Sequence, residues 1–333
     1  MRVAVVVLNW NTVEYLRSFV PGILKSLGPD DALIVADSGS TDSSLAMLQK
    51  EFPQVERLPL GANYGFAGGY NRALASVDAR YYLLLNSDVE VPESWIEPLV
   101  EHMEQNPLCA ICGPKLHALD RGEDGRYMRS SRFEYAGAAG GQLDALAYPY
   151  CRGRVLKRVE QDEGQYDSLP CHVAWVSGAA LMIRSELWKQ LGGFDEQFFA
   201  HMEEIDLCWR AQLLGYSVDV VSRSLVWHLG GGTLPAQSPL KLKLNFRNSI
   251  WMMRRNLPSS VGPVRCFLKL SARRILDLGS ALVYLLSGRK EFAKAVMQAL
   301  READARKIEA QRSGLRSLKI LSDKFILLSF LKR

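Results

Sequence analysis

The N-terminal part of the chain repeats one unit, a short apolar run followed by a stretch of helical periodicity. The runs cover residues 3–8, 32–36, 55–60 and 81–85, and the helical stretches cover 12–27, the segment up to Glu51, and 70–77. Strand and helix alternating through short connections dictate a mostly parallel sheet covered on both faces. Ligands of such sheets bind beyond the carboxyl ends of the strands. Asp37 follows the second run and Asp88 follows the fourth. Carboxylates cost free energy to bury, so their place beside apolar strands points to a cation or a polar ligand.

Later segments are read more coarsely. Residues 116–170 carry clustered Gly, Asp and Arg and are expected to form an insertion of loops and hairpins over the sheet. Order returns with an apolar run at 173–184, broken by Ser177-Gly178. The pattern then predicts a helix over 203–214, a strand over 216–221, and a further strand end over 226–232 that contains His228 and a glycine run. From about residue 240 the pattern is helical and basic, over 268–286, 292–300 and again 318–333.

The expected organisation is a catalytic α/β domain over 1–240 and a basic amphipathic helical extension over 241–333. Residues 1–240 hold 20 Lys and Arg against 30 Asp and Glu, whereas residues 241–333 hold 21 against 6. Such asymmetry predicts an anionic partner for the extension. A membrane surface touched through 265–333 is that partner, and not nucleic acid. A helical subdomain forming a homodimer is the competing expectation. No stretch reaches the roughly 18 uncharged apolar residues of a membrane span. The short apolar N-terminus reads as a first buried strand and not as a signal peptide. The expected location is the cytoplasm, on the inner face of the cell membrane. Of six cysteines, only Cys109 and Cys112 have a CxxC spacing. With no second such pair, they read as thiols of a buried strand and not as zinc ligands.

Taken singly, the polar candidates each have a plain alternative. Asp37 could accept hydrogen bonds from a base or a ribose, while Asp42 suits a helix cap. Asn86-Ser87-Asp88 ends a very apolar strand, where Asp88 could bind a hard cation or serve a turn. The glycines of 61–71 allow close backbone approach to a ligand, but the phosphate-loop lysine and dinucleotide spacing are absent. Glu203 and Glu204 open a helix and point in different directions. Asp206 and Arg210 have the spacing of a simple pair. His228 is a metal ligand or a packed side chain.

As an ordered set, these residues resemble family 2 glycosyltransferases. The resemblance rests on Val5-Val-Val-Leu-Asn-Trp-Asn11, Asp37-Ser-Gly-Ser-Thr-Asp42, Asn63-Tyr-Gly-Phe-Ala-Gly-Gly-Tyr-Asn71 and Leu84-Leu-Asn-Ser-Asp88. It continues through Trp175-Val-Ser-Gly-Ala179, Gly193-Phe-Asp195, residues 198–210 and His228-Leu-Gly230. It covers about residues 3–250 and is nearest to bacterial rhamnosyltransferase and galactofuranosyltransferase-like members.

The resemblance implies the GT-A nucleotide-diphospho-sugar fold and an inverting, metal-dependent hexosyl transfer in cell-surface polysaccharide synthesis. The donor is a nucleotide-diphosphate sugar, and the acceptor is a glycan or a lipid-linked glycan. Asn9, Asp37, Gly65, Asn71, Asn86, Ser87 and Asp88 would bind the donor. Asp88 and His228 would hold Mg²⁺ or Mn²⁺. Glu204 would be the base, with Glu203 beside it, and Trp175, Ser177 and Gly178 would sit near the acceptor. Two positions depart from the family pattern, which carries Asp where this chain has Asn86 and usually Asp where it has Glu204. A nucleotidyltransferase would need a basic glycine-rich loop near the N-terminus, which Asn9-Trp10-Asn11 is not. A noncatalytic glycan-binding scaffold is suggested only by Asn86 and Glu204.

Overall fold

The computed structural model describes residues 1–155, 158–230, 238–311 and 320–322. Most of the expected 318–333 segment, and Gly231 and Gly232 of the glycine run, lie outside the described residues. The N-terminal units form β1 (Val3–Asn9), α1 (Val13–Ser26), β2 (Ala32–Asp37), α2 (Ser44–Glu51), β3 (Glu56–Pro59), α3 (Gly65–Leu74) and β4 (Tyr81–Asn86). β3, β2, β1 and β4 lie side by side and are parallel throughout.

β1 shows why its run is continuously apolar. Val3, Val5 and Val7 pack in one core with Leu16, Val20 and Ile23 of α1. Ala4 and Val6 pack in the other core with Tyr70 and Ala73 of α3. Alternate side chains reach opposite faces, and both faces are dry.

After β4 come β5 (Val89–Glu90), α4 (Ile96–Gln105), β6 (Cys109–Arg121) and β7 (Tyr127–Phe133), which pairs with β6 as a hairpin. β8 (Gly141–Leu143), β9 (Pro149–Cys151), β10 (Arg154–Val155) and β11 (Arg158–Val159) form a separate small sheet. This is the insertion of hairpins expected over 116–170. β12 (Ala180–Arg184) runs antiparallel between β4 and β6, so the second half of the sheet is mixed. α5 (Ser185–Leu191), a 3₁₀ turn (Glu196–Phe198), α6 (Glu203–Leu213) and β13 (Ser217–His228) complete the sheet.

Two local expectations change. Helix α3 starts inside the glycine-rich stretch, because those glycines let it lie close on β1. A Cβ on Gly69 would stand 2.7 Å from the Leu8 side chain. The segments 216–221 and 226–228 are one strand, parallel to β6, with a register shift between Val221 and Leu225.

α7 (Pro239–Val261), α8 (Pro263–Leu286) and α9 (Lys290–Ala305) follow. α7 is joined to the catalytic body, since Ile250, Trp251, Met252 and Met253 share a core with Leu207 and Trp209 of α6. Beside that core, the buried Asp206 accepts hydrogen bonds from Arg210 (2.8 Å), Arg255 (2.9 Å) and Asn256 (2.8 Å). α8 buries Cys266, Arg273, Asp277 and Ala281 inward, while Val264, Phe267, Ile275, Leu282 and Leu286 are exposed.

Candidate active site

The strand ends gather the predicted donor residues. Asn9 closes β1 and Asp37 closes β2, paired in register. Both are buried, and Asn9 Nδ2 donates to Asp37 Oδ2 at 2.6 Å. Asp37 Oδ1 accepts the Ser40 backbone N–H at 2.9 Å, so the carboxylate also shapes the loop after β2. Asn11, at φ +55°, pins that loop from the other side by accepting from the Thr41 N–H at 2.7 Å.

Asn86, Ser87 and Asp88 leave β4, and β5 pairs at once with the end of β13, setting His228 opposite Val89. This register brings His228 Nε2 to 3.2 Å from Asp88 Oδ1 and 3.4 Å from Asn86 Nδ2. Behind the ring, Glu134 Oε1 lies 3.6 Å from His228 Nδ1. Burial alone would lower the imidazole pKa, but Asp88 and then Glu134 outweigh it and raise it to about 10. Glu134 follows β7 and was not legible in the sequence. It carries no local motif, and only the β6–β7 hairpin carries it to this edge, where its N–H donates to the Leu116 carbonyl at 2.9 Å.

Glu203 and Glu204 start α6. The chain enters that helix through Phe199, His201 and Met202, all at positive φ, a costly conformation for residues with side chains. Asn248 of α7 holds this entry, donating to the carbonyls of Phe198 (2.9 Å), Ala200 (2.9 Å) and His201 (2.8 Å). Glu203 is almost fully buried, and burial followed by repulsion from Glu204 raises its carboxyl well above the ordinary range. Glu204 is half-buried as a residue, but its Oε2 is enclosed with no hydrogen-bond partner among the described residues. Burial raises its pKa to about 7. Gly178 adjoins it: a Cβ there would stand 3.2 Å from the Phe66 ring and 3.6 Å from Glu204 Cβ.

Other candidates are engaged by protein groups. Both ends of the Asn71 amide bond the Phe194 backbone, accepting its N–H at 2.9 Å and donating to its carbonyl at 2.8 Å. Asn71 therefore positions the segment before α6, in place of the direct ligand contact expected of it. Trp175 is 3 % exposed, lies against Gly141 and donates Nε1–H to the Gln142 carbonyl at 3.0 Å. It forms wall and does not offer its N–H to an acceptor. Ser177 is buried, and its hydroxyl accepts the Ala179 N–H at 3.3 Å. Gly65, at φ +70°, lies where any Cβ would meet the Phe199 ring at 2.5 Å, so it brings two loops together.

This arrangement of sheet and strand-end carboxylates is the GT-A fold of nucleotide-sugar transferases. The fold is shared with S. aureus TarS 1–349 in complex with UDP-GlcNAc (TM-score 0.56, 16 % identity, covering 92 % of this chain and 83 % of that one). It is shared as well with the mannosyltransferase PcManGT from Pyrobaculum calidifontis in complex with GDP-Man and Mn²⁺ (TM-score 0.53, 14 % identity, 92 % and 76 %). A third structure, GalNAc-T7 with UDP, GalNAc and Mn²⁺, has a TM-score of 0.56 at 16 % identity; the match covers 76 % of this chain and 47 % of that one.

The profile of Glycosyl transferase family 2 matches residues 4–168, about half of the chain. An N-acetylglucosaminyl-diphospho-decaprenol L-rhamnosyltransferase of Mycobacterium tuberculosis is 28 % identical over 241 residues, 69 % of this chain and 76 % of the relative. Rhamnosyltransferase WbbL of Escherichia coli is 22 % identical over 231 residues, 66 % and 80 % respectively.

Proposed function

We propose that this glycosyltransferase moves rhamnose, or another hexose, from a nucleotide diphosphate to a hydroxyl of a glycan or lipid-linked glycan in cell-surface polysaccharide synthesis. The observation that carries this reading is the 3.2 Å approach of His228 Nε2 to Asp88 Oδ1 at the strand-end edge. An oxygen and a nitrogen donor facing each other, with a carboxylate behind the imidazole, fit a divalent cation. Asp88 and His228 would hold Mg²⁺ or Mn²⁺. Such a cation, when bound, offsets charge on a diphosphate leaving group. The Mn²⁺ named for two of the solved structures supports the choice.

Asn9 and Asp37 face the nucleoside in this reading. Glu204 takes the proton of the acceptor hydroxyl, whose oxygen attacks the anomeric carbon opposite the departing diphosphate. A single displacement of this kind inverts configuration. Glu203 is the weaker candidate for the base, because burial and then repulsion from Glu204 push its carboxyl pKa well above the ordinary range.

The names of the two rhamnosyltransferases support the sugar, and that of the mycobacterial relative supports a lipid-linked acceptor. Purified protein assayed with dTDP-, UDP- and GDP-sugars, Mg²⁺ or Mn²⁺ and an N-acetylglucosaminyl-diphospho-polyprenol should give one product of inverted anomeric configuration by NMR. Retention of configuration, or release of pyrophosphate, defeats the reading.

The reading extends to contact with the inner membrane face. No helix among the described residues is long and apolar enough to cross a membrane. The outer stripe of α8 instead exposes Val264, Phe267, Ile275, Leu282 and Leu286, flanked by the exposed Arg265, Arg289 and Lys290. An apolar stripe with basic flanks suits the interface of an anionic bilayer. Phe267→Glu with Leu282→Glu should abolish flotation with anionic vesicles. Unchanged flotation refutes the contact, and dissociation of a dimer would assign the stripe to a second copy.

A further inference from the structure

At the opposite end of β13 from His228, five metal-ligating side chains meet. Asp219 and His228 are nine positions apart on this strand, at most about 30 Å at about 3.3 Å per residue. The carboxylate of Asp219 is 1 % exposed, with His102 Nε2 at 2.7 Å from Oδ2 and His172 Nδ1 at 2.6 Å from Oδ1. Cys109 completes one group with His102 and Asp219, and Cys171 completes another with His172 and Asp219. Within each group the donor atoms lie within 4.8 Å of one another.

The backbone builds this convergence. Cys109 N–H bonds the Asn106 carbonyl (2.8 Å) and Asn106 N–H the His102 carbonyl (3.0 Å), so one tight turn carries the last turn of α4 into β6. β6 lies beside β13 with Cys109 in register with Ser217. From the other side, Val173 N–H bonds the Val218 carbonyl and Val220 N–H bonds the Cys171 carbonyl, both at 2.9 Å, which clamps Cys171 and His172 against Asp219. The chain has only five His and six Cys, yet two of each share this one carboxylate.

We propose that Asp219, His102 and Cys109, with a fourth ligand from the Cys171–His172 pair, bind one cation of the zinc class. Thiol, imidazole and carboxylate together are the donor set of Zn²⁺ and are poorly matched to Mg²⁺. Donors around a tetrahedral ion at about 2.0–2.3 Å stand roughly 3.3–3.8 Å apart, a spacing reached within each group of three by shifts of about 1 Å or less, while the ligand joining from the Cys171–His172 side has further to move. The His–Asp contacts are shorter than that spacing and open to admit the ion, while Cys171 Sγ, 4.0 Å from His172 Nδ1, closes in. Ordinary His–Asp ion pairs would account for the two imidazoles but give no reason for a thiol beside each. The His172 side chain is 69 % exposed and has room to turn. A cavity of about 600 Å³, lined by Asn106, Cys109, His172 and Ser217, supplies the entry path.

The test uses the full chain, stripped of metal by chelator and kept reduced, titrated with Co²⁺ and then Zn²⁺. One equivalent of Co²⁺ should produce thiolate-to-cobalt charge-transfer absorption, which Zn²⁺ abolishes. A thiolate band cannot arise from the Asp88–His228 edge, so Asp88→Ala should retain it. Cys109→Ser should weaken the band, and Cys109→Ser with Cys171→Ser should lose it. His172→Ala and Cys171→Ser, at the surface and tolerant of change, should together weaken Zn²⁺ binding at least about tenfold while sugar transfer with Mg²⁺ is unchanged. Absence of the band in the wild-type chain, or a band and Zn²⁺ affinity unaltered by the surface double variant, overturns the proposal.

Discussion

Replacing Glu204 by Gln should act in opposite directions on turnover and on stability. The Glu204 carboxyl sits in an enclosed, low-polarity position that raises its pKa from 4.5 to about 7. A gap of that size between folded and unfolded states is worth about 3 kcal/mol, at about 1.4 kcal/mol per unit. The sign follows from which state holds the proton more tightly. The folded state does, so the stabilising contribution is full below pH 4.5, declines as pH rises, and is gone above about 7. Gln carries no charge and avoids this loss. The variant should therefore match the wild type near pH 4.5 and exceed it by about 3 kcal/mol near pH 9, with Glu203 relieved as well. Urea unfolding at several pH values reads this difference. Turnover should fall by about 10²–10⁴, the usual contribution of a general base, with donor binding near normal. In the wild type, kcat/KM should rise with pH through about 7 as the base ionises. A stability difference independent of pH would refute the burial argument, and a variant within about tenfold of wild-type turnover would refute the role of base.

Three further outcomes are expected. Glu134→Gln should lower the His228 pKa from about 10 and weaken Mn²⁺ activation by about 10–100-fold, read from rate against metal concentration; an unchanged curve would show that Glu134 does not orient the imidazole. Asp206→Asn should cost about 3–5 kcal/mol in urea unfolding, because Arg210 and Arg255 lose their buried carboxylate; a cost under about 1 kcal/mol would mean that solvent reaches them. Gly65→Ala should cost at least about 1–3 kcal/mol from positive φ alone, with turnover reduced as the Phe199 loop is displaced, and wild-type stability would contradict the close packing there.

Much of the scaffold was readable along the chain. The four apolar runs became β1 to β4; β1, β2 and β4 are apolar almost throughout because buried parallel strands need apolar side chains on both faces, whereas β3, at the sheet edge, is only partly buried. The Asp206–Arg210 pair also followed from spacing, although its extension to Arg255 and Asn256 did not. Ligand-facing and structural polar residues could not be separated in this way. Asn71 and Trp175 carry motif positions, yet the Phe194 backbone and the Gln142 carbonyl occupy their polar groups. The start of α3 was hidden because glycine lowers helix propensity, while close packing on β1 favours it.

The sequence by itself determined the alternation of strand and helix, the faces those elements bury, and the polar residues that end the strands. These depend on periodicity and on residues near one another in the chain. Only the tertiary structure set Glu134 behind His228, Asn248 on the strained entry to α6, and two His–Cys pairs around Asp219. Each depends on strand order and register, which bring distant segments together and leave no periodic trace in either segment.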